Sequence, residues 1–467
     1  MQVSIRRKRQ KLLKECLGSF ARQFSELVPP ELLESLSKTQ RRRVFSNPVT
    51  FWAWLSQILE QNDSCSAALS RVQAWCVEKG LPAPCSDTTA YCKSRVRLSA
   101  EFINAVHQHV IDEMARSVRD EDLYRGLEVK SVDGSSVQLM DTADNQACYP
   151  QPSVQKEGCG FPVMKFAGVL NHAHGGWETW LTAPLSEKDF VTMRRLMGHF
   201  GPETLLLADR GFCSYEIIAR LQEKGCHSLM RLHQMREKGF TLRKGKRIGN
   251  NERLVTWVKP ASKPETTDLT DAEWELLPAT MEMRLIAFDY EDRGGAIKRM
   301  VLATTLLDAN TYDWIELGEL YATRWDIELR LRDVKTTLGM EQLNVKTPAM
   351  AEKSLAMSFL GFNLVKGISR RSVANHPEKW KLISFKGALD AIKSSSAFFA
   401  ADLMKSKKKI AAAIGRMLEL VSTKQIEVRP GRWEPRMQKK RPKPFPFLDR
   451  PRQDYKEMHQ SGELACG

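Results

Sequence analysis

The sequence lacks the features that would place a protein in a membrane or in an oxidising compartment. None of its 467 residues lie in a stretch approaching the roughly 18 uncharged apolar residues that suggest a membrane-spanning helix. The basic first segment has no apolar core and no small-residue cleavage site, so we expect no signal peptide. The ten cysteines are scattered, without a CxxC pair or a matching histidine spacing. We therefore expect reduced, structural thiols in a cytosolic protein, and no zinc site.

Acidic residues are also in deficit. The chain has 71 Lys and Arg against 56 Asp and Glu, which gives a net charge of +15 and a pI of about 9.3. Such a balance favours a polyanionic partner, either nucleic acid or, less often, an anionic membrane surface. The hydrophobic content of 42 % is ordinary for a globular protein, and the length suffices for about three domains.

Composition and periodicity divide the chain into five segments. The first reads as a helical domain with basic runs at 6–9 and 41–43 and with Lys93, Arg95 and Arg97 on one helix. A DNA-end binder and a solvated helical bundle explain these runs about equally well. The last segment ends in a basic, Pro-rich tail that cannot form a core. The predicted boundaries are 1–125 (helical), 126–234 (strands and helices), 235–298 (a β-rich insert), 299–375 (strands and helices) and 376–467 (helices and tail).

Two aspartates stand at unusual positions in predicted strands. Asp133 lies within the strand-like segment 127–139, although Asp is depleted in strands. Asp209 directly follows the apolar run 205–208, which predicts a buried central strand. A carboxylate at the end of such a strand projects into the crevice where α/β sheets bind ligands. An Asp that only caps the next turn is the alternative for Asp209.

The stretch from Tyr321 to Lys335, YATRWDIELRLRDVK, predicts an amphipathic helix. Neither Pro nor Gly interrupts 319–338, and its apolar residues recur at intervals of three, four and seven. On a helical wheel, one polar row borders the apolar stripe. The row suits a divalent metal at its carboxylate and phosphate oxygens at its other groups, although a solvated, salt-bridged face is the alternative. Its members are Tyr321, Arg324, Glu328 and Lys335.

A cluster of Asp133, Asp209 and Glu328 would need cations, because neighbouring carboxylates repel one another. Two Mg²⁺ ions roughly 3.5–4 Å apart, bridged by an Asp, would neutralise the cluster and support in-line phosphoryl chemistry. Hard oxygen ligands favour Mg²⁺, with Mn²⁺ as a substitute.

These residues carry a resemblance to a known family. The row from Tyr321 to Lys335 has two, three and six intervening residues, and this spacing resembles the YREK signature of bacterial insertion-sequence DDE transposases. Trp325 and Ile327 resemble that family's RWxIE. Asp133 in SVDGS and Asp209 in LADRGF resemble its first two Asp motifs, in the same order.

The resemblance extends over nearly the whole chain. The 119 positions from Asp209 to Glu328 resemble the spacing of an RNase H-like domain that a β-rich insert interrupts, and the RPGRWEPR tail also resembles family members. The fold that this implies is α/β: an RNase H-like mixed sheet flanked by helices and interrupted by the insert. An N-terminal helical domain and a basic C-terminal helical region with a tail would flank it.

By this resemblance, Asp133, Asp209 and Glu328 would be the catalytic residues and hold two Mg²⁺ ions. Tyr321, Arg324, Trp325 and Lys335 would bind DNA near the transposon end. The implied reaction is hydrolysis that frees a 3′-hydroxyl at the element's end, followed by attack of that hydroxyl on target DNA. The implied partners are double-stranded DNA and a second copy in a homodimeric synaptic complex, at the nucleoid in the bacterial cytoplasm.

Several alternatives stay open. Relatives often use a DNA hairpin intermediate, with an insert tryptophan stacked on a flipped base. The insert has Trp257 and Trp274, but each fits a packed β-sheet residue better. A catalytically inactive, transposase-derived DNA-binding protein is the rival function, and an RNase H-like nuclease is a third. The terminal repeats and the target preference depend on base contacts that the chain alone does not display.

Overall fold

A ten-stranded mixed sheet runs through the chain in the computed structural model, which describes residues 17–37, 44–233, 245–265, 267, 269–291, 296–399, 406–426 and 447–461. The strands are β1 (Glu128–Leu139), β2 (Val163–Asn171), β3 (Trp177–Pro184), β4 (Thr204–Ala208), β5 (His227–Arg231), β6 (Lys246–Arg247), β7 (Glu252–Val258), β8 (Thr280–Glu291), β9 (Ile297–Thr304) and β10 (Gln342–Leu343).

The strand order is β3-β2-β1-β4-β5-β9-β8-β7-β6, and β10 pairs with the far end of β1. The first three strands form an antiparallel meander, whereas β4 and β5 run parallel to β1. Helices cover the sheet, so the predicted α/β, RNase H-like fold class is confirmed.

The strands of the β-rich segment extend this sheet. Strand β9 pairs antiparallel with β5, and β8 and β7 continue outward from β9. Strands β1–β5 and the strands after residue 245 therefore share one hydrogen-bonded sheet.

The sequence explains the central strands. All five residues of β4 are buried, which agrees with a strand that has both faces covered. The β2–β3 hairpin turns through residues 172–176, where Gly175 has φ of +74°. Only a residue without a Cβ adopts that conformation readily. In addition, a Cβ on Gly175 would lie 2.5 Å from the Trp380 ring.

Helices precede and follow the strands. They are α1 (Gly18–Gln23), α2 (Pro30–Ser35), α3 (Asn47–Leu59), α4 (Cys65–Glu78), α5 (Thr89–Arg97), α6 (Ala100–Ala115), α7 (Ala143–Cys148), α8 (Asp189–Leu196), α9 (Tyr215–Glu223), α10 (Asp271–Leu276), α11 (Trp314–Ala322), α12 (Trp325–Arg332), α13 (Pro348–Ser372), α14 (Phe385–Ser394), α15 (Lys407–Ser422) and α16 (Arg452–Gln460). No helix in the described ranges is both long enough and apolar enough to span a membrane.

The N-terminal and C-terminal helices share one hydrophobic core. Helix α13 is buried along most of its length and packs against α3 and α6 from the start of the chain. The same core reaches the sheet through Phe359, whose ring contacts Trp177 and Trp180 on β3. Residues 17–37 and 44–115 are thus packed onto the sheet and the C-terminal helices.

Helix α5 presents only part of the basic surface that its sequence suggested. Lys93 and Arg97 are exposed, but Arg95 is buried. The Arg95 guanidinium lies 4.4 Å from the Trp54 ring centroid and donates to Cys65 Sγ at 3.2 Å. Arg95 is therefore a packing residue. The basic runs at 6–9 and 41–43, and the tail over 427–446, lie outside the described residues.

Candidate active site

The register of β1 and β4 places two of the predicted acidic residues side by side. These strands run parallel, with Ser131 opposite Leu207. Asp133 and Asp209 each stand two positions further on, so they lie at the same level and on the same face. Asp209 is exposed just beyond the last residue of β4, and Asp133 is partly buried. The separation of 76 positions in the sequence did not reveal this pairing, but the parallel register does.

Few groups around Asp133 offset the cost of burying its carboxylate. Its Oδ1 accepts a hydrogen bond of 2.8 Å from the Gly134 N–H, which fixes the carboxylate against its own strand. Burial, together with the nearby charges of Glu328 and Asp209, raises the pKa of Asp133 to about 6, although Gly134 and Arg324 counteract the shift. The site therefore favours an added cation.

The predicted continuous helix over 319–338 is interrupted. Helix α11 ends at Ala322, and α12 begins at Trp325. Between them the N–H groups of Thr323 and Arg324 bond three residues back, to Leu320 and Tyr321. Such bonds tighten the last turn of a helix. The helical wheel assumed one uninterrupted α-helix and therefore could not place the residues on both sides of this turn.

A second irregularity follows Glu328. Residues Asp333–Thr337 form a π-helical turn, in which the Leu338 N–H bonds the Asp333 carbonyl at 3.1 Å. Single π-turns are rare and often occur at functional sites. The buried apolar side of the segment still forms as predicted from Ile327 onward, but Leu320 is only partly buried. The buried residues are Ile327, Leu331, Val334 and Leu338.

Tyr321 lies inside the protein rather than on the DNA-facing row that the wheel suggested. Only 7 % of it is exposed, and its hydroxyl donates to the Ala208 carbonyl at 3.3 Å. Burial raises the pKa of Tyr321 to about 12, and the charge of Asp209 also raises it. Tyr321 thus ties α11 to the end of β4, one residue before Asp209.

Glu328 faces Asp133 from α12. Both residues line one cavity together with Lys335 from the π-turn. Glu328 accepts a hydrogen bond of 3.1 Å from Arg324 Nη2. Burial opposes the charge of Arg324, but nearby Tyr321 together with Glu328 and Asp209 raises its pKa. The structure therefore brings the three predicted carboxylates, Arg324 and Lys335 to one region.

Other members of the predicted set differ in exposure. Trp325 opens α12 beside Arg324 and is 43 % exposed. Arg332, which the sequence reasoning missed, lines the cavity of Glu328 and Lys335. It stands four residues after Glu328, and this helical spacing was the signal that could have found it.

A second cavity opens on the other side of Asp133. Asp133 and Asp209 line it with the side chains of Lys165 on β2 and Phe212 after β4. Lys165 Nζ donates to the Glu187 carbonyl at 2.7 Å and pairs with Asp189 at 2.5 Å. No motif marks Lys165 in the sequence, because only strand pairing brings it beside the aspartates.

The donor chemistry fits a hard divalent cation only in part. Asp133 and Asp209 offer carboxylate oxygens at matched positions, and the raised pKa of Asp133 favours a cation. However, no three His, Cys, Asp or Glu side chains within the described ranges converge as one metal-binding group. Glu328 is instead directed to Arg324.

The two insert tryptophans are packing residues. Trp257 on β7 is 7 % exposed and meets the Tyr215 ring edge-on at 5.5 Å. Trp274 is 3 % exposed but lies on α10 rather than in the sheet. The expectation of burial is confirmed for both, and the expectation of a strand was wrong for Trp274.

Comparisons with known proteins find similarity to transposases. A family model described as Transposase DDE domain matches residues 125–364, which contain all three carboxylates. The chain is 24 % identical over 351 residues to the transposase InsG for insertion sequence element IS4 from Escherichia coli strain K12, with 73 % of this chain and 74 % of that protein covered.

Two further matches are more distant. The putative transposase InsZ from the same strain is 21 % identical over 214 residues, with 44 % of this chain and 69 % of that protein covered. A solved structure of the piggyBac transposase synaptic complex with hairpin DNA superposes with a TM-score of 0.41 at 9 % identity, covering 90 % of this chain and 86 % of the other.

Proposed function

Because the chain belongs to the Transposase DDE domain family, we propose that it binds the terminal inverted repeats of an insertion sequence and catalyses DNA cleavage and strand transfer. The observation that carries this proposal is the parallel register that sets Asp133 beside Asp209, with Glu328 facing Asp133. A net charge of +15 supports a DNA partner.

Two divalent metals, Mg²⁺ or in its place Mn²⁺, would be held by Asp133, Asp209 and Glu328. When bound, such ions activate the attacking oxygen and stabilise the leaving oxygen of an in-line phosphoryl transfer. Asp133 would supply the central ligand, since it faces Asp209 on one side and Glu328 on the other. Arg324 holds Glu328 Oε1 at 3.1 Å, so the contact occupies one of the two Glu328 oxygens that would serve a metal.

The basic residues around Glu328 would position the DNA strand. Lys335 and Arg332 line the cavity that Asp133 and Glu328 share, so a phosphate of the element's end would lie beside the carboxylates. Arg324 would contact the same strand, and the exposed Trp325 ring would pack on a sugar or a base. Tyr321 would instead hold the end of β4 and so position Asp209.

Strand transfer has consequences for assembly. Joining both ends of an element to one target requires two active sites, so we propose a homodimer in the synaptic complex. It would act on transposon-end and target DNA in the bacterial cytoplasm, at the nucleoid. The exposed Lys93 and Arg97 on α5 would contribute to DNA binding from the N-terminal helices.

The test is Mg²⁺-dependent cleavage of a labelled duplex that carries the element's own end. We expect the wild type to nick at the end and leave a 3′-hydroxyl. Glu328→Gln should bind the duplex with unchanged affinity but fail to cut it, since the amide removes a metal-binding charge. Glu319→Gln makes the same chemical change at an exposed position of α11 and should cleave normally.

A different result would favour the rival function. If the wild type binds the element's end but cuts with neither Mg²⁺ nor Mn²⁺, the protein is a transposase-derived DNA-binding protein. If it cuts RNA–DNA hybrids and ignores the element's end, it is an RNase H-like nuclease.

A further inference from the structure

Arg324 lies among the acidic residues of the proposed site. Its side chain is 14 % exposed, and its Nη2 donates to Glu328 Oε1 at 3.1 Å. Its positive charge also lowers the pKa of Asp133, and the charge of Asp209 helps to raise the pKa of Arg324. One guanidinium therefore interacts with all three carboxylates.

The position of this ion pair is unfavourable for the helix itself. Arg324 is the N-cap of α12, where the helix dipole disfavours a positive charge. In addition, Arg324 stands four residues before Glu328, and an acid-before-base order is the more stabilising one at this spacing. The pair thus serves the carboxylate cluster rather than the stability of α12.

The pair also restricts what Glu328 can bind. A guanidinium keeps its charge in proteins and offers donors only, so it cannot share the role of a ligand. While Arg324 holds Glu328 Oε1, that oxygen is occupied by a guanidinium rather than by a metal. Within the described ranges, this agrees with the absence of a three-group metal-binding arrangement.

We propose that Arg324 is the counter-cation of the DNA-free site and that a phosphate of the bound DNA end draws it away from Glu328. This inference rests on the proposed transposase function and concerns its regulation. The released Glu328 then completes the metal site, so DNA binding strengthens metal binding. Because linkage is reciprocal, metal strengthens DNA binding by the same factor. The protein therefore assembles its full metal site only on DNA.

The experiment measures metal binding directly, without cleavage. Free Mn²⁺ is followed by electron paramagnetic resonance while wild-type protein and Arg324→Gln are titrated, each with and without a short duplex carrying the element's end. We expect DNA to raise the wild-type Mn²⁺ affinity by about tenfold or more. DNA-free Arg324→Gln should already bind Mn²⁺ about tenfold more tightly than DNA-free wild type, and DNA should add little.

Arg332→Gln is the matched control. It removes a basic side chain from the cavity of Glu328, whereas the ion pair of that carboxylate is with Arg324. This variant should bind DNA more weakly and keep the wild-type Mn²⁺ affinity in the absence of DNA. Arg324→Met serves as a second neutral variant, and thermal unfolding selects whichever of the two folds as the wild type does.

The outcomes separate this inference from the proposed function. If DNA-free Arg324→Gln and Arg324→Met bind Mn²⁺ no more tightly than the wild type, the counter-cation role is wrong even when the wild type cleaves DNA. If the wild type neither cleaves the element's end nor binds Mn²⁺ with DNA present, the transposase function itself fails. If DNA-free Arg332→Gln gains as much Mn²⁺ affinity as the Arg324 variants, the loss of any nearby positive charge strengthens metal binding. That result would overturn the specific role of Arg324.

Discussion

Strand β1 carries two charged residues, Lys130 and Asp133, that the protein treats in opposite ways. Lys130 is 8 % exposed, and its Nζ lies 2.9 Å from Glu178 and 3.3 Å from Glu128. Burial opposes its charge, yet these two carboxylates raise the pKa of Lys130. Asp133, three residues later and on the opposite face, is a partly buried carboxylate beside two further carboxylates.

The contrast separates a buried charge that is paired within the chain from a charge that lies beside others of the same sign. The surroundings of Lys130 are complete within the chain, because Asn171 also donates to Glu178 at 2.8 Å. The surroundings of Asp133 leave it with a pKa of about 6, which marks a site that a cation from outside would stabilise. A perturbed pKa in a cleft is a common sign of function, whereas a paired buried ion is a common structural feature.

The largest expected effect is on catalysis. Asp133→Asn should lower the rate of element-end cleavage by about a thousandfold or more, equivalent to ~4 kcal/mol of activation free energy. The amide cannot bridge two cations, although it fits the same space. Single-turnover cleavage at saturating Mg²⁺ measures the rate, and DNA binding by gel shift should stay unchanged. A rate within tenfold of the wild type would remove Asp133 from the proposed site.

The next largest effect is on folding stability, at the ion pair between Lys130 and Glu178. Glu178→Gln should lower the free energy of unfolding by about 2–4 kcal/mol, because Lys130 would keep only Glu128 as a partner. Urea unfolding followed by circular dichroism measures the loss. Glu187→Gln is the control. Glu187 pairs with Arg195, which is more exposed than Lys130, so this pair should contribute under about 1 kcal/mol to the free energy of unfolding.

The pH dependence of Glu178 follows from its pKa. Burial would raise that pKa, but His174, Lys130 and Asn171 lower it to about 2, below the ordinary 4.5. The contribution of Glu178 is therefore fully present above about pH 4.5 and is lost as the pH falls toward 2. The difference between the wild type and Glu178→Gln should shrink over that window.

The pH dependence of folding stability that comes from Asp133 should be opposite in sign to that from Glu178. The folded pKa of Asp133, about 6, exceeds the ordinary 3.8, so the ionised carboxylate lowers stability above about pH 6, and this cost disappears as the pH falls toward 4. Without metal, Asp133→Asn should raise the free energy of unfolding at pH 7.5 by about 1–3 kcal/mol. Urea unfolding in chelator at pH 7.5 and pH 4.5 measures this. A destabilised variant at pH 7.5 would contradict the contrast between the two charges.

The smallest effect concerns Tyr321. Tyr321→Phe removes the hydrogen bond to Ala208 and should lower the free energy of unfolding by about 1 kcal/mol. Cleavage should slow by a few fold, whereas the affinity for the element's end should not change. A weaker affinity with unchanged stability would instead mean that the hydroxyl contacts a DNA phosphate.

Much of the fold could be predicted because local patterns matched the final environment. The apolar run of β4 and the β2–β3 hairpin needed only burial and turn chemistry. The continuation of the sheet from β5 into β9 could not be predicted, because it depends on a pairing between distant segments. Nor could periodicity show that α6 and α13, far apart in sequence, bury a shared core.

The site shows the same division. The positions of Asp133 and Asp209 relative to strands could be predicted, but their side-by-side placement follows only from the parallel register. The wheel failed at Tyr321 because a three-residue hydrogen-bond pattern interrupts the α-helix after Ala322. Lys165 and Arg332 joined the cavities without any motif, through pairing and helical spacing alone.

The pairing of β1 with β10 joins two strands that are synthesised at very different times. Gln138 pairs with Gln342, so a strand made early in synthesis waits for a partner made much later. A nascent chain that ends at β5 contains Asp133 and Asp209. It still lacks Glu328 and helix α12, which carries Glu328. Such long-range contacts form late and slowly in folding. A nascent chain therefore cannot complete its site, and a prematurely terminated copy that lacks α12 would be catalytically inert.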